Sequence, residues 1–108
     1  MRHTQLRSFH AVARSGSFTA AARELRVSQP TVTTQVKGLE REFGVELFVR
    51  RGRRIELTEA GRGLLDITRR LFSQEKEAAD FLNESRELKT GHLRVGAVGP
   101  YQIGRAHV

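Results

Sequence analysis

Four stretches of the chain repeat apolar residues at helical spacing, and short polar or glycine-bearing breaks separate them. From Thr4 to Ser15, the residues Leu6, Phe9, Val12 and Ala13 form one stripe, which predicts a first helix. Gly16 is placed to end it, because glycine accepts the left-handed conformation at a helix C-terminus. Ser17 suits the N-cap of a second helix, Phe18 to Leu25. Its run Ala20, Ala21, Ala22 lets another helix pack closely. Arg26-Val27 makes a short connection, and Ser28 then caps a third helix reaching about Phe43. Pro30 is tolerated in its first turn, where a missing N–H would be unpaired anyway.

The third helix has two unlike faces. Val32, Val36, Leu39 and Phe43 recur at steps of four, three and four and share an apolar face. Pro30, Thr33, Thr34, Lys37 and Arg41 fall on the opposite side, which holds hydroxyls and positive charge but no large hydrophobe. Such a face suits a DNA major groove. Taken alone it equally suits an ordinary amphipathic surface helix. The short turn before it makes the pair a helix-turn-helix.

Past Gly44-Val45-Glu46 the helical period stops. Leu47-Phe48-Val49, then Arg50-Arg51-Gly52-Arg53-Arg54, then Ile55-Glu56-Leu57 predict a small β-hairpin with Gly52 in its turn. A hairpin with an arginine-rich tip after a helix-turn-helix is a wing, and its plainer reading is a solvated basic loop. Crowded arginines repel one another, and an adjacent phosphate backbone relieves that repulsion.

Thr58 is placed to cap a long helix, with Glu59 near its positive end. Its apolar positions are Ala60, Leu64, Ile67, Leu71, Ala78, Phe81 and Leu88. With Gln74 and Ser85 included, the spacing alternates four and three over about four heptads. Leu65, Phe72 and Leu82 are expected to widen the stripe. A seam of this kind predicts pairing with a second copy. Lys89-Thr90-Gly91 would close the helix, and His92 to Val98 alternates like a strand. Since one strand cannot stand alone, a further domain is expected to begin there.

The expected fold is therefore mainly α: a winged helix-turn-helix of three helices and a hairpin wing over residues 1–57, then a linker and dimerisation helix over 58–90. Residues 91–102 would hold the first strand of a truncated effector-binding domain. The last six residues, Ile103-Gly104-Arg105-Ala106-His107-Val108, back-translate as ATC GGA AGA GCA CAC GTC, which resembles a common sequencing-library adapter. Adapter read-through after about Gln102 is the expectation for 103–108.

Charge sharpens this picture. The 108 residues carry a net +7, and Met1 to Leu57 holds nearly all of it, with eleven Lys/Arg against five Asp/Glu. A basic compact domain points to a polyanion, of which nucleic acid is the commonest. An anionic membrane surface would need a basic helix with bulky apolar anchors, which no segment clearly offers. No stretch approaches the roughly 20 apolar residues of a membrane span. No signal-like apolar run opens the chain, so a cytoplasmic location is expected. The absence of cysteine removes disulfides and thiolate metal sites. His3, His10, His92 and His107 are scattered without metal-ligand spacing, and the glycines near 91–104 form no dinucleotide fingerprint. No nucleophile sits with a base, so no enzyme and no cofactor are expected.

The residues Phe18-Thr19-Ala20-Ala21-Ala22 with Leu25, Ser28-Gln29-Pro30, Thr33, Gln35, Val36, Leu39 and Glu40 together resemble the N-terminal part of LysR-type transcriptional regulators. Gly44-Val45-Glu46-Leu47-Phe48, Arg50 and Leu57-Thr58-Glu59-Ala60-Gly61 extend the match. The resemblance covers about Leu6 to Pro100. It implies that the third helix enters the major groove of double-stranded DNA while the wing touches the minor groove or backbone. Carried over, Gln29, Pro30, Thr31, Thr33 and Thr34 would lie near the bases. Gln35 and Lys37 would lie near phosphates, and Arg50, Arg51, Arg53 and Arg54 on the wing. The linker helix would pair protomers into a homodimer or tetramer through Leu64, Ile67, Leu71, Ala78, Phe81 and Leu88. A small-molecule effector would act only on the full-length protein. One departure stands out: many members carry arginine where this chain has Thr34. Threonine is too short for a bidentate guanine contact, so a different or water-bridged base is expected there. Pro30 to Thr33 with Gly96 to Tyr101 also resembles regulators linked to aminoethylphosphonate catabolism. The other reading is a winged-helix module for RNA or protein, or a non-specific polyanion binder.

Overall fold

In a computed structural model, which describes residues 1–89, the order of elements is α1 (His3–Ser15), α2 (Phe18–Leu25), α3 (Gln29–Phe43), β1 (Phe48–Arg51), β2 (Arg54–Leu57) and α4 (Glu59–Lys89). The expected strand over 92–98 and the segment 103–108 lie outside the described residues. The chain divides into two units, Met1–Leu71 and the part from Phe72 onward.

The local signals set the helix ends. Gly16 and Gly44 take left-handed conformations at φ 77° and 66°, and the latter's N–H returns to the Glu40 carbonyl. Ser17 accepts the Ala20 N–H and Ser28 accepts the Thr31 N–H, each satisfying a donor that a helix start leaves open. Arg26 closes α2 with φ 61° and no glycine to ease it. That left-handed residue, absent from the pattern of turn formers, makes the tight corner between α2 and α3.

In the first unit, α1, α2 and α3 pack on one another. Phe9, Val12, Ala21, Val32, Val36 and Leu39 are buried, and Leu47 and Leu65 close the core below the wing. Leu6 and Ala13, expected in the α1 stripe, are only partly covered, whereas Ser8 and Ala11 are buried. Phe43 departs from its expected place: it is 55% exposed. It is the last residue of α3, where the core has already run out, so sharing a face with Leu39 does not bring it a partner.

The hairpin pairs Phe48 with Leu57, Val49 with Glu56, Arg50 with Ile55 and Arg51 with Arg54. Its two-residue turn puts Gly52 first, at φ 63°, the position where glycine suits a type II′ turn. Phe48 stacks its ring edge near Phe18 and tilts onto Phe9, with centroids 5.7 and 5.4 Å apart. These contacts seat the wing on the helical core.

Thr58 ties the wing to α4. Its hydroxyl donates to the Glu46 carbonyl at 2.6 Å and accepts the Gly61 N–H at 2.9 Å, while its own N–H reaches the Leu47 carbonyl at 3.0 Å. Gly61 passes so close to that same carbonyl that a methyl group there would collide with backbone. Leu65 was expected at the edge of the outward stripe of α4. It is buried instead, with Thr68, because the first turns of α4 complete the core of the first unit.

Beyond Leu71 the helix has no buried residue among those described. Phe81 and Leu82 are 49% and 65% exposed. The pairs Arg70–Asp66 and Lys76–Asp80, at 2.9 and 3.0 Å, lie on its surface at i,i+4 spacing and contribute only a few tenths of a kcal/mol each, about 0.3–0.5. No helix is long and apolar enough to cross a membrane among the described residues.

Candidate nucleic-acid interface

A groove of ≈ 450 Å³ opens between α3 and the wing. Gln29, Thr33 and Lys37 line one side of it, at intervals of four along α3, so one helical row faces the wing. Arg50 and Arg53 line the other side, and Thr19 from the start of α2 also borders it. These five α3 and wing residues are the part of the expected set that the fold gathers.

The remaining expected residues separate into groups. Pro30 and Thr34 are exposed on the crest of α3. Thr31 and Gln35 are half-buried, and Gln35 reaches α1. The Thr31 hydroxyl is held by Ser28 at 2.8 Å, and the Gln35 amide oxygen accepts from the buried Ser8 hydroxyl. Gln35 therefore spends its acceptor on locking α3 to α1.

Strand alternation divides the four wing arginines. Arg50 shares a face with Phe48, Ile55 and Leu57, the face seated on the core. Arg51 and Arg54 stand opposite each other on the other face, a like-charge pair that is unfavourable in isolation. Glu56 relieves it by pairing with the Arg51 Nε at 2.9 Å. Arg53 occupies the turn. Among the described residues no acidic side chain pairs with Arg50, Arg53, Arg54 or Lys37. Their charge stays available to an external anion, and close phosphates would satisfy it with charge-assisted bonds.

Two further residues shape the groove without having been singled out as part of it. The Glu40 carboxylate accepts the Leu47 N–H at 2.7 Å and the Phe48 N–H at 3.4 Å. It staples the root of β1 to α3 and so fixes the distance between helix and wing. The Thr19 hydroxyl donates to the Gln29 amide oxygen at 3.1 Å. The wing's hairpin and Glu40's position were each visible in sequence, but the seven-residue reach between Glu40 and Leu47 was not.

Away from the groove, His10 Nδ1 meets the Thr68 Oγ1 at 2.8 Å and joins α1 to α4. Burial lowers the His10 pKa below 6.5, and the nearby Arg14 and Arg69 lower it further, against a smaller opposite effect of Glu24. The contact gives this histidine a structural place between the two helices. No cluster of three or more His, Cys, Asp or Glu could hold a metal ion among the described residues.

The sequence over residues 3–62 matches the bacterial regulatory helix-turn-helix protein model of the lysR family. The chain is 41% identical to the transcriptional activator CmpR of Synechocystis sp., over 94% of this chain and 34% of that protein. It is 44% identical to the RuBisCO operon transcriptional regulator of Allochromatium vinosum, over 84% of this chain and 30% of that protein. The chain thus spans about a third of the length of these curated relatives. Among solved structures, the CbnR DNA-binding domain in complex with DNA superposes with a TM-score of 0.68 at 41% identity, covering 80% of this chain and 99% of that one. The BenM DNA-binding domain on its catB site 1 DNA gives 0.72 at 30% identity, covering 86% and 100%.

Proposed function

The chain belongs to the lysR family of bacterial regulatory helix-turn-helix proteins, and from that premise we propose that it binds double-stranded DNA sequence-specifically and regulates transcription. The observation that carries this reading is the groove: the hydroxyl and amide groups of Gln29 and Thr33 run along α3 opposite the unpaired cations Arg50 and Arg53. Polar side chains without charge on α3 suit base edges, and cations beside them suit the backbone that flanks those edges. Pro30 and Thr34 on the crest belong to the base-proximal set. Lys37, Arg50, Arg53 and Arg54 belong to the phosphate set. Thr31, Gln35 and Arg51, each held by a neighbour, support the surface more than they extend it. The solved relatives CbnR and BenM, named as DNA complexes, support the same partner.

A second copy of the chain is the other proposed partner. Ile67, Leu71, Phe81 and Leu88 are exposed along α4, and Ala78 continues their seam, whereas Leu64, expected in it, is partly buried against the core of the first unit. Pairing along it would give a homodimer or tetramer and would set the spacing of two half-sites. The division into a reader at 1–57, a pairing helix at 58–90 and the beginning of an effector domain at 91–102 belongs to this proposal, as do effector control of the longer protein and a cytoplasmic location. The narrower resemblance to aminoethylphosphonate-linked regulators has no counterpart in the relatives named above.

RNA-binding sheets use stacking aromatics, but the aromatics that border this groove, Phe18 and Phe48, pack against the core instead. Competition between a selected duplex and a random duplex at matched salt tests the function. The selected duplex is expected to win by at least a hundred-fold, a threshold set below the roughly 10³–10⁷ ratio of specific to non-specific binding usual for complete regulators. Equal affinity would reduce the chain to a polyanion binder.

A further inference from the structure

On the premise of duplex-DNA recognition, we propose that Thr19 sets the base preference of Gln29, turning it from adenine toward guanine. Gln29 is the first residue of α3 and Thr19 lies in the first turn of α2, so the two helix starts of the motif meet at this pair. The Thr19 Oγ1 donates to the Gln29 Oε1 at 3.1 Å, and both residues border the groove. A glutamine side chain offers one acceptor oxygen and one amino group with two donors. Free glutamine reads adenine bidentately, donating to N7 and accepting from the N6 amino group. Here one of the oxygen's two lone pairs takes the Thr19 hydroxyl, which holds the oxygen toward α2 and leaves the amino group to lead toward a base.

A reader led by its amino group fits guanine best, because N7 and O6 both accept; adenine N7 accepts as well, but adenine then presents only one acceptor. It gains nothing from the amino group of adenine or cytosine. DNA docking excludes water from the groove and so strengthens the Thr19–Gln29 bond against competition. The chemistry of the α2 residue thereby reaches the operator without touching it, which makes Thr19 a positioning residue for specificity.

The test uses the whole chain with duplexes carrying each of the four bases at the position where Gln29→Ala abolishes discrimination. The wild-type chain is expected to favour guanine there over adenine, by about ten-fold for one well-made base contact. Thr19→Val keeps the shape and removes the hydroxyl. It is expected to move the preference toward adenine while leaving discrimination at other positions in place. Thr19→Ser restores the hydroxyl and should restore the wild-type order. Circular dichroism of each variant verifies the helical fold. An affinity for adenine equal to or above that for guanine in the wild type, an unchanged order in Thr19→Val, or no position lost in Gln29→Ala overturns the proposal while sequence-specific binding stands. Identical affinity of the wild type for every duplex overturns the DNA-reading function itself, and this proposal with it.

Discussion

α3 and the outer part of α4 are both amphipathic helices, yet the fold uses them in opposite ways. The apolar stripe of α3, Val32, Val36 and Leu39, is covered by its own unit, leaving the polar row for something outside the chain. Between Phe72 and Leu88 α4 fully buries no residue, and Phe81, Leu82 and Leu88 of its apolar face are exposed. A helix whose apolar side is already satisfied offers its polar side as the functional surface. A helix whose apolar side is left open offers that side instead. One chain thus divides gripping from pairing between two helices that look alike by periodicity.

The largest effect expected from breaking this contrast is in the core. Phe9 is wholly buried against Phe48, and Phe9→Ala should cost about 3–5 kcal/mol of folding stability in a denaturant titration. Phe81→Ala removes the same ring from α4 and should change folding of the first unit by less than about 0.5 kcal/mol. Equal losses at both positions would mean that the two apolar faces are not different in kind.

Next comes self-association. Leu71→Asp places a charge in the open seam, and sedimentation should show monomers in place of dimers. An intact dimer would move the pairing surface elsewhere, and the exposed Phe43 and Val45 would be the first place to look. On the gripping side, Arg53→Ala should weaken binding to all duplexes alike. It should also lower the slope of log K against log salt by about 0.9, the share of one phosphate contact. An unchanged slope would remove Arg53 from the contact surface and leave the charge to Arg50 and Arg54.

The smallest effect concerns the joint between α1 and α4. The folded pKa of His10 lies below its usual 6.5, because burial and the cations Arg14 and Arg69 oppose protonation. Between the two values the unfolded chain binds more protons than the folded one. The stability this site contributes is complete above about pH 6.5 and is lost as pH falls through the folded value. A melting series from pH 7.5 to 5 should show a decline that His10→Gln flattens. A variant with the wild-type profile would assign the acid sensitivity to other groups.

The signals that act over a few residues were legible in the sequence. Gly16, Ser17, Ser28, Gly44, Gly52 and Thr58 each end or begin an element, because capping and turn geometry depend on one side chain and its neighbours. The contents of the groove were half legible. Periodicity put Thr33 and Lys37 on the outward side of α3, and the family resemblance added Thr31 and Gln35 to the set. Only packing shows that Ser28 and Ser8 hold those two. Phe43 and Leu65 moved in opposite directions for one reason: period names a face, and the length of the neighbouring element decides whether that face is covered. The Thr19–Gln29, Glu40–Leu47 and His10–Thr68 contacts join residues from different elements, and nothing in the residue types alone marks them as partners.

Quantitative binding of the wild type and Leu71→Asp to duplexes bearing one or two copies of a selected half-site tests the division between gripping and pairing most directly. The wild type should prefer the double site by far more than the two-fold that statistics alone would give. Leu71→Asp should still recognise the half-site but lose that preference. A Leu71→Asp chain that keeps the wild-type advantage on the double site, or that no longer distinguishes the half-site from random DNA, would contradict it.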